Sequence, residues 1–175
     1  MACDISAGRK IVCKTIGGIK NIYFVNYRSN LENEYTFDAG SGSLGVEFIT
    51  PKMTGYKYEL RGSQSMTTVC EASRDNNTSF YTSTGTFKIN GFDLDLAREL
   101  ENASKGSPQV VTEDFNGTFK VYGWQNGCDV SATQNSGATM GDGQNNEMTI
   151  TSIEKRPPHI LVDPTSNAMT IVEGV

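Results

Sequence analysis

Through most of this chain apolar and polar residues alternate with a period of two, in short runs cut off by glycine, asparagine, aspartate or proline. Successive side chains on a strand point to opposite faces, so the pattern specifies half-buried strands and argues against helix in those runs. "EYTFDA" (34–39), "VEFIT" (46–50) and "GYKYELRG" (55–62) follow it. "IKNIYFVNY" (19–27) is apolar on both sides, with Ile22, Phe24 and Asn26 facing one way and Tyr23, Val25 and Tyr27 the other. "MTTVCEAS" (66–73) and "SFYTSTGTFKING" (79–91) flank the polar stretch Arg74–Thr78 and predict a hairpin.

From position 109 the pattern predicts a strand (109–113), a turn (Asp114–Gly117), a strand (118–124), a turn (Gln125–Gly127) and a strand (128–133). Asn116-Gly117 and Asn126-Gly127 both read as hairpin turns, because both residue types tolerate positive φ. After the polar loop "TQNSGATMGDGQNN", the run "EMTITSIEK" (147–155) sets Met148, Ile150 and Ser152 against Thr149 and Thr151, a half-exposed strand that ends at Pro157-Pro158. "HILVD" and "AMTIVEGV" predict edge strands or a docking tail.

One segment, "FDLDLARELENASKG" (92–106), breaks the period. Leu96, Leu100 and Ala103, with Ala97 beside them, recur at helical spacing. Asp93 is placed to cap the start and Gly106 to end the helix, with acids early and Lys105 late to suit its dipole. The expected fold is mainly β, an antiparallel β-sandwich or barrel with one flanking α-helix, in a single domain over 1–175. At 175 residues the chain is long enough to bury a core without metal or disulfide staples.

Motifs that would carry chemistry do not hold up in context. Gly40-Ser41-Gly42-Ser43-Leu44-Gly45 matches G-x-G-x-x-G, but a dinucleotide turn must open a helix whose N-terminus receives the pyrophosphate. Gly45 leads instead into Val-Glu-Phe-Ile-Thr-Pro, a strand ended by proline, so the match reads as a flexible loop between strands. Asp142, Asn145, Asn146 and Glu147 supply oxygens without the order a calcium loop needs. The one histidine, His159, stands beside two prolines, and no serine lies in a G-x-S-x-G elbow. Asp93 and Asp95 diverge at a helix start, and Glu113 and Asp114 point to opposite sides of a strand end. Trp124 beside Tyr122 is read as a core or interface anchor, with a sugar-stacking platform as the alternative. No catalytic, cofactor-binding or metal-ligating residues are assigned, and no enzyme is expected.

Charge narrows the partners. The 15 lysines and arginines are scattered in runs no longer than two, net charge is −5 and the isoelectric point is near 4.9. Tight nucleic-acid binding needs a basic face, whereas an acidic balance suits a surface that DNA slides past. Cysteines at 3, 13, 70 and 128 show no C-x-x-C, and the opening Met-Ala-Cys-Asp-Ile-Ser lacks a charged region followed by an apolar run. Reduced thiols and no export are expected, which leaves the N-x-[ST] matches at Asn76 and Asn116 as chance. No apolar run approaches the ~18–20 residues of a membrane span.

Several stretches resemble tail-tube and related virion ring proteins of tailed bacteriophages. "MACDISAGRKIVCKTIGGIKNIYFVNY" is similar to the start of that family, with Ala-Cys, "AGR", a second Cys and "GGIK.IYFVNY". The likeness continues through "EASRDNNTSFYTSTGTFKI", the helix and "VVTEDFNGTFKVYGWQNGCDVSA", and ends with "SGATMGDGQNNEMTITSIEKRPPHIL". Gln144-Asn145-Asn146-Glu147 departs from it, where the family pattern has an aromatic-bearing step. The resemblance implies a tail-tube-like β-sandwich subunit with one flanking helix and no cofactor. It implies rings, hexameric and stacked, whose inner sheets merge into one barrel that conducts genomic double-stranded DNA during ejection. The partners it implies are further copies of the chain and other phage tail or neck proteins, in a virion tail assembled in the host cytoplasm. Two alternatives stand beside it, a neck or short-tail ring (connector) protein of the same fold and a carbohydrate-binding β-sandwich module. Ring stacking calls for arms that leave the subunit. The segment from Arg28 to Gly45 is the expected arm, the N-terminal dozen residues and the tail after Pro158 are the other candidates, and the termini are expected to be mobile.

Overall fold

A computed structural model describes residues 16–29, 31–37, 44–60, 62, 64–91 and 93–173. Among the described residues the chain is mainly β, with two sheets and one α-helix of more than a single turn. Its strands are β1 (Ile19–Val25), β2 (Tyr35–Phe37), β3 (Gly45–Ile49), β4 (Met53–Glu59), β5 (Ser65–Ser73), β6 (Thr78–Asn90), β7 (Gln109–Asp114), β8 (Phe119–Tyr122), β9 (Asp129–Asn135), β10 (Asn145–Glu154), β11 (His159–Leu161) and β12 (Met169–Val172). A single helical turn, α1 (Leu31–Glu34), precedes β2, and α2 (Leu94–Lys105) links β6 to β7.

Eight strands form the larger sheet in the order β12-β4-β1-β7-β8-β11-β3-β2, and four form the smaller, β5-β6-β10-β9. All described pairings are antiparallel except β11 with β3 and β12 with β4. The two-faced pattern of β1 explains the layering. Ile19, Ile22 and Phe24 join one buried cluster, shared with Phe87 and Ile89 of β6 and Met148 and Ile150 of β10, between the sheets. Tyr23 and Val25 join a second, with Leu31, Val46, Val121, Trp124 and Met169, around which the eight-stranded sheet curls into a half-barrel. A π-helical turn, Pro164–Ala168, packs against both β3 and β12 and so bridges the two flanks of that curl.

Period two is clean in the smaller sheet. Ser83, Gly85, Phe87 and Ile89 face inward along β6, and Asn146, Met148, Ile150 and Ser152 along β10. The β5–β6 hairpin forms with its turn at residues 74–77. In α2, Leu100 is buried and Leu96 and Ala103 pack against the first cluster, the face the spacing selects. Asp93 occupies the N-cap position without a side-chain cap bond, its carbonyl accepting from Ala97 N–H instead. Gly106 ends the helix, donating its N–H to the Asn102 carbonyl.

The two Asn-Gly pairs part company. Asn116-Gly117 makes the β7–β8 hairpin, with Gly117 alone taking the left-handed conformation (φ 75°). Asn126-Gly127 makes no hairpin, because β8 and β9 lie in different sheets. There the chain crosses between sheets through a corner with Gly123 at φ 69° and Gly127 at φ 76°. Positive φ at a glycine permits a reversal, and the face each strand buries decides where the reversal leads.

The expected arm lies against the subunit over its described part: Leu31 is buried, Arg28 pairs with Glu34, and β2 pairs with β3. Residues 38–43, which include the start of Gly40–Gly45, lie outside the described residues, as do residues 1–15. The stretch after Pro158 turns back into the larger sheet, β11 between β8 and β3 and β12 at its edge.

Candidate functional site

Two regions concentrate the exposed chemistry. The first is a cleft of about 330 Å³ where β2, the exit of β8 and the Arg156–His159 segment meet the ends of β6 and β10. Its wall is an aromatic cluster. The Trp124 ring lies 4.7 Å from His159 and 4.9 Å from Tyr35, and Tyr35 stands edge-on to Phe37 at 4.6 Å. Trp124 and His159 are only 4% and 3% exposed, and Trp124 Nε1 and His159 Nδ1 have no protein partner. Burial pushes the His159 imidazole below its ordinary value, with the Leu44 backbone hydrogen bond opposing and Arg156 adding to it, which favours the neutral ring. Glu154 accepts the backbone N–H groups of Gln125 and Asn126 at 3.0 and 2.9 Å, which fixes the corner between the sheets. Tyr122 and Trp124 are both buried, so they form no exposed stacking platform.

The second region is the outer face of the four-stranded sheet. Thr82, Thr84 and Thr86 of β6 and Thr149 and Thr151 of β10 share the outward side, consistent with a solvated strand face, and the exposed Val69 and Ile153 flank Thr82 there. Register turns these into rows across all four strands. Ser65, Thr86, Thr149 and Ser131 form one row, and Thr67, Thr84, Thr151 and Asp129 the next. Its charged residues include Lys88 and Glu147, paired at 3.4 Å, Asp129, and Glu71, whose carboxylate accepts the Thr82 hydroxyl at 2.9 Å. Three carboxylates thus face one ammonium on a bed of short hydroxyls. Such a surface offers many weak hydrogen bonds and no cationic cluster to hold a phosphate.

The oxygens considered for a cation diverge. Asp142 accepts the backbone N–H groups of Ala138 and Thr139, Glu147 pairs with Lys88, and Asn146 donates to the Gly91 carbonyl. Among the described residues no three His, Cys, Asp or Glu side chains gather into a metal-sized group. Gly45 opens β3 directly, so no helix follows the G-x-G-x-x-G match. Glu113 and Asp114 do point apart. Glu113 accepts from Asn21 at 2.7 Å, Tyr23 at 2.6 Å and Lys20 at 3.3 Å, while Asp114 pairs with Lys120. Burial opposes the Glu113 charge, but these donors outweigh it and hold the carboxyl below its usual range. The convergence of β1 donors on Glu113 leaves no signal in the sequence, because it needs the β1–β7 register that pairs Asn21 with Glu113.

No protein-family model matches this chain, and no curated protein matches it in sequence. Among the described residues no helix is long and apolar enough to cross a membrane.

Proposed function

We propose that this chain is a virion structural subunit, a tail-tube protein whose copies close into hexameric rings that stack to conduct DNA. The observation that carries the reading is the outer face of the four-stranded sheet. It is hydroxyl-rich and weakly acidic, and it is bounded by β5 and β9, each of which pairs on one side only among the described residues. Unpaired edges favour strand addition, and closing a ring of subunits edge to edge would satisfy them in one continuous barrel. Helix α2 lies against β9 from the core side, where Leu100 and Val130 share the first cluster, and so is consistent with that edge being available. With the hydroxyl face inward, DNA phosphates meet a surface that repels weakly and holds nowhere. The acidic balance and the sequence resemblance support the same reading, and the burial of Tyr122 and Trp124 removes the pair on which the carbohydrate alternative rested.

Negative-stain electron microscopy of the purified protein tests it. Stacked rings or tubes of constant diameter are expected. Single rings that never stack would favour the neck or short-tail ring protein, and a strict monomer at high concentration would overturn both.

A further inference from the structure

We infer that neighbouring copies of this chain dock head to tail, the basic corner Lys155-Arg156 of one copy seating in an acidic, aromatic-floored groove beside α2 of the next. The inference rests on the assembly reading above and names the contact that joins the subunits.

The groove consists of two adjoining hollows of about 500 and 700 Å³ that share Tyr56, Tyr58, Glu99, Val172 and Glu173. Its floor is aromatic, with Tyr58 edge-on to Phe24 at 5.3 Å and Tyr56 42% exposed. Its rim is acidic. Asp95 and Glu99 stand one turn apart on α2, and Glu59 and Glu173 face them. Lys57 is the only basic residue among its described lining, and Glu59 and Glu173 already engage it, each at 3.2 Å. Four carboxylates against one ammonium leave a site for added cations. Aromatic rings below a carboxylate rim suit lysine or arginine, whose aliphatic stem lies on the rings while its head meets the acids.

The matching cations are in the chain itself. Lys155 and Arg156 are the only adjacent basic residues among those described, and both are exposed. Among the described residues neither makes an ion pair. Ile153, 54% exposed, and the corner-bound Glu154 precede them and Pro157-Pro158 follows, so the charges sit on a stiffened segment beside an exposed apolar side chain. The groove flanks β4 and β12 at one end of the eight-stranded order, whereas Arg156 borders the cleft walled by β8 and β2 in the other half. A donor and an acceptor formed by different surfaces make a heterologous contact, the kind that generates rings when its rotation closes.

Charge reversal in the full-length protein tests this. Lys155→Glu with Arg156→Glu should weaken self-association about a hundredfold by analytical ultracentrifugation, as should Asp95→Lys with Glu99→Lys. Circular dichroism and melting temperature establish that each variant is folded. All four substitutions in one chain restore both partners with their signs exchanged, and association should recover to within about tenfold of the wild type. If the wild type assembles and either pair assembles equally well, this contact is wrong while the ring reading stands. Loss in both pairs without recovery in the fourfold variant also overturns it. A wild-type chain that never associates overturns contact and ring together.

Discussion

Replacing Gly127 and Gly117 by alanine, one at a time, separates backbone conformation from packing. Both glycines follow an asparagine, and both are left-handed at nearly the same φ, 76° and 75°. Their surroundings differ. A Cβ at Gly117 meets nothing within 4 Å, whereas at Gly127 it falls 2.4 Å from the Ser107 carbonyl oxygen and 2.9 Å from Ser107 Cβ. The left-handed conformation costs a non-glycine residue about 1–2 kcal/mol, and that applies to both. Overpacking against an atom that cannot swing aside adds about 1–3 kcal/mol, and the Ser107 carbonyl is backbone, next to the Pro108 carbonyl that accepts Cys128 N–H at 2.9 Å. Gly117→Ala should therefore lose about 1–2 kcal/mol and Gly127→Ala about 2–5 kcal/mol. Urea unfolding of dilute, unassembled protein measures this. The fluorescence of Trp124 is the probe, being the chain's one tryptophan and part of the same corner. The unfolding slope should stay constant while the midpoint moves, so that the difference between variants is the contact alone. Equal midpoint losses would refute the close approach of that corner to Ser107.

Three further outcomes rest on buried groups. Glu113 is held below its ordinary range in the fold, so its contribution is complete above the usual glutamate range and disappears as the pH falls through the folded value. Glu113→Gln should cost about 1 kcal/mol at pH 7 and nothing at strongly acidic pH, and a constant deficit across a pH series of urea melts would contradict this. Burial pushes the Cys128 thiol up to about 12, with Glu154 adding to it, whereas Cys70 is exposed. At pH 8 a thiol reagent should modify Cys70 and spare Cys128 until the chain unfolds, and similar rates at the two sites by mass spectrometry would show the burial to be wrong. Since burial lowers the folded value of His159 beside Trp124, any quenching of the tryptophan emission by the imidazolium should set in below the ordinary histidine range. A quenching step in that range, absent in His159→Phe, would mean that the imidazole is open to water.

The legible part of the sequence is local. Alternation locates β6 and β10 and even the two-faced β1, because each reports only which side of a strand meets a core. The Leu96–Leu100–Ala103 spacing does the same for α2. Whether a strand continues its neighbour's sheet is not local, and Asn126-Gly127 carries the same turn signal as Asn116-Gly117 while leading to a different sheet. The stretch after Pro158 reads as a tail for a related reason: three or four apolar residues do not reveal that β11 pairs with both β8 and β3. The hydroxyl face is half readable. The threonines at 82, 84 and 86 and at 149 and 151 lie on the solvated side of their strands, but their alignment into rows with Ser131 and Ser65 depends on register. The aromatic cleft is unreadable, since Tyr35 and His159 meet only through the completed curl of the larger sheet.

The position of β11 also sets a timetable. Strand β3 has two partners, β2 beside it in sequence and β11, whose Ile160 aligns with Gly45 from 115 positions away. During synthesis residues 35–49 leave the ribosome early and wait, as a marginal two-stranded ribbon, until residues 159–161 emerge to seat them. The half-barrel therefore closes late, and a nascent chain cannot present a finished subunit before residues 159–161 are available. For a protein whose proposed task is to polymerise, that delay keeps an open half-barrel from offering its neighbours a complete surface.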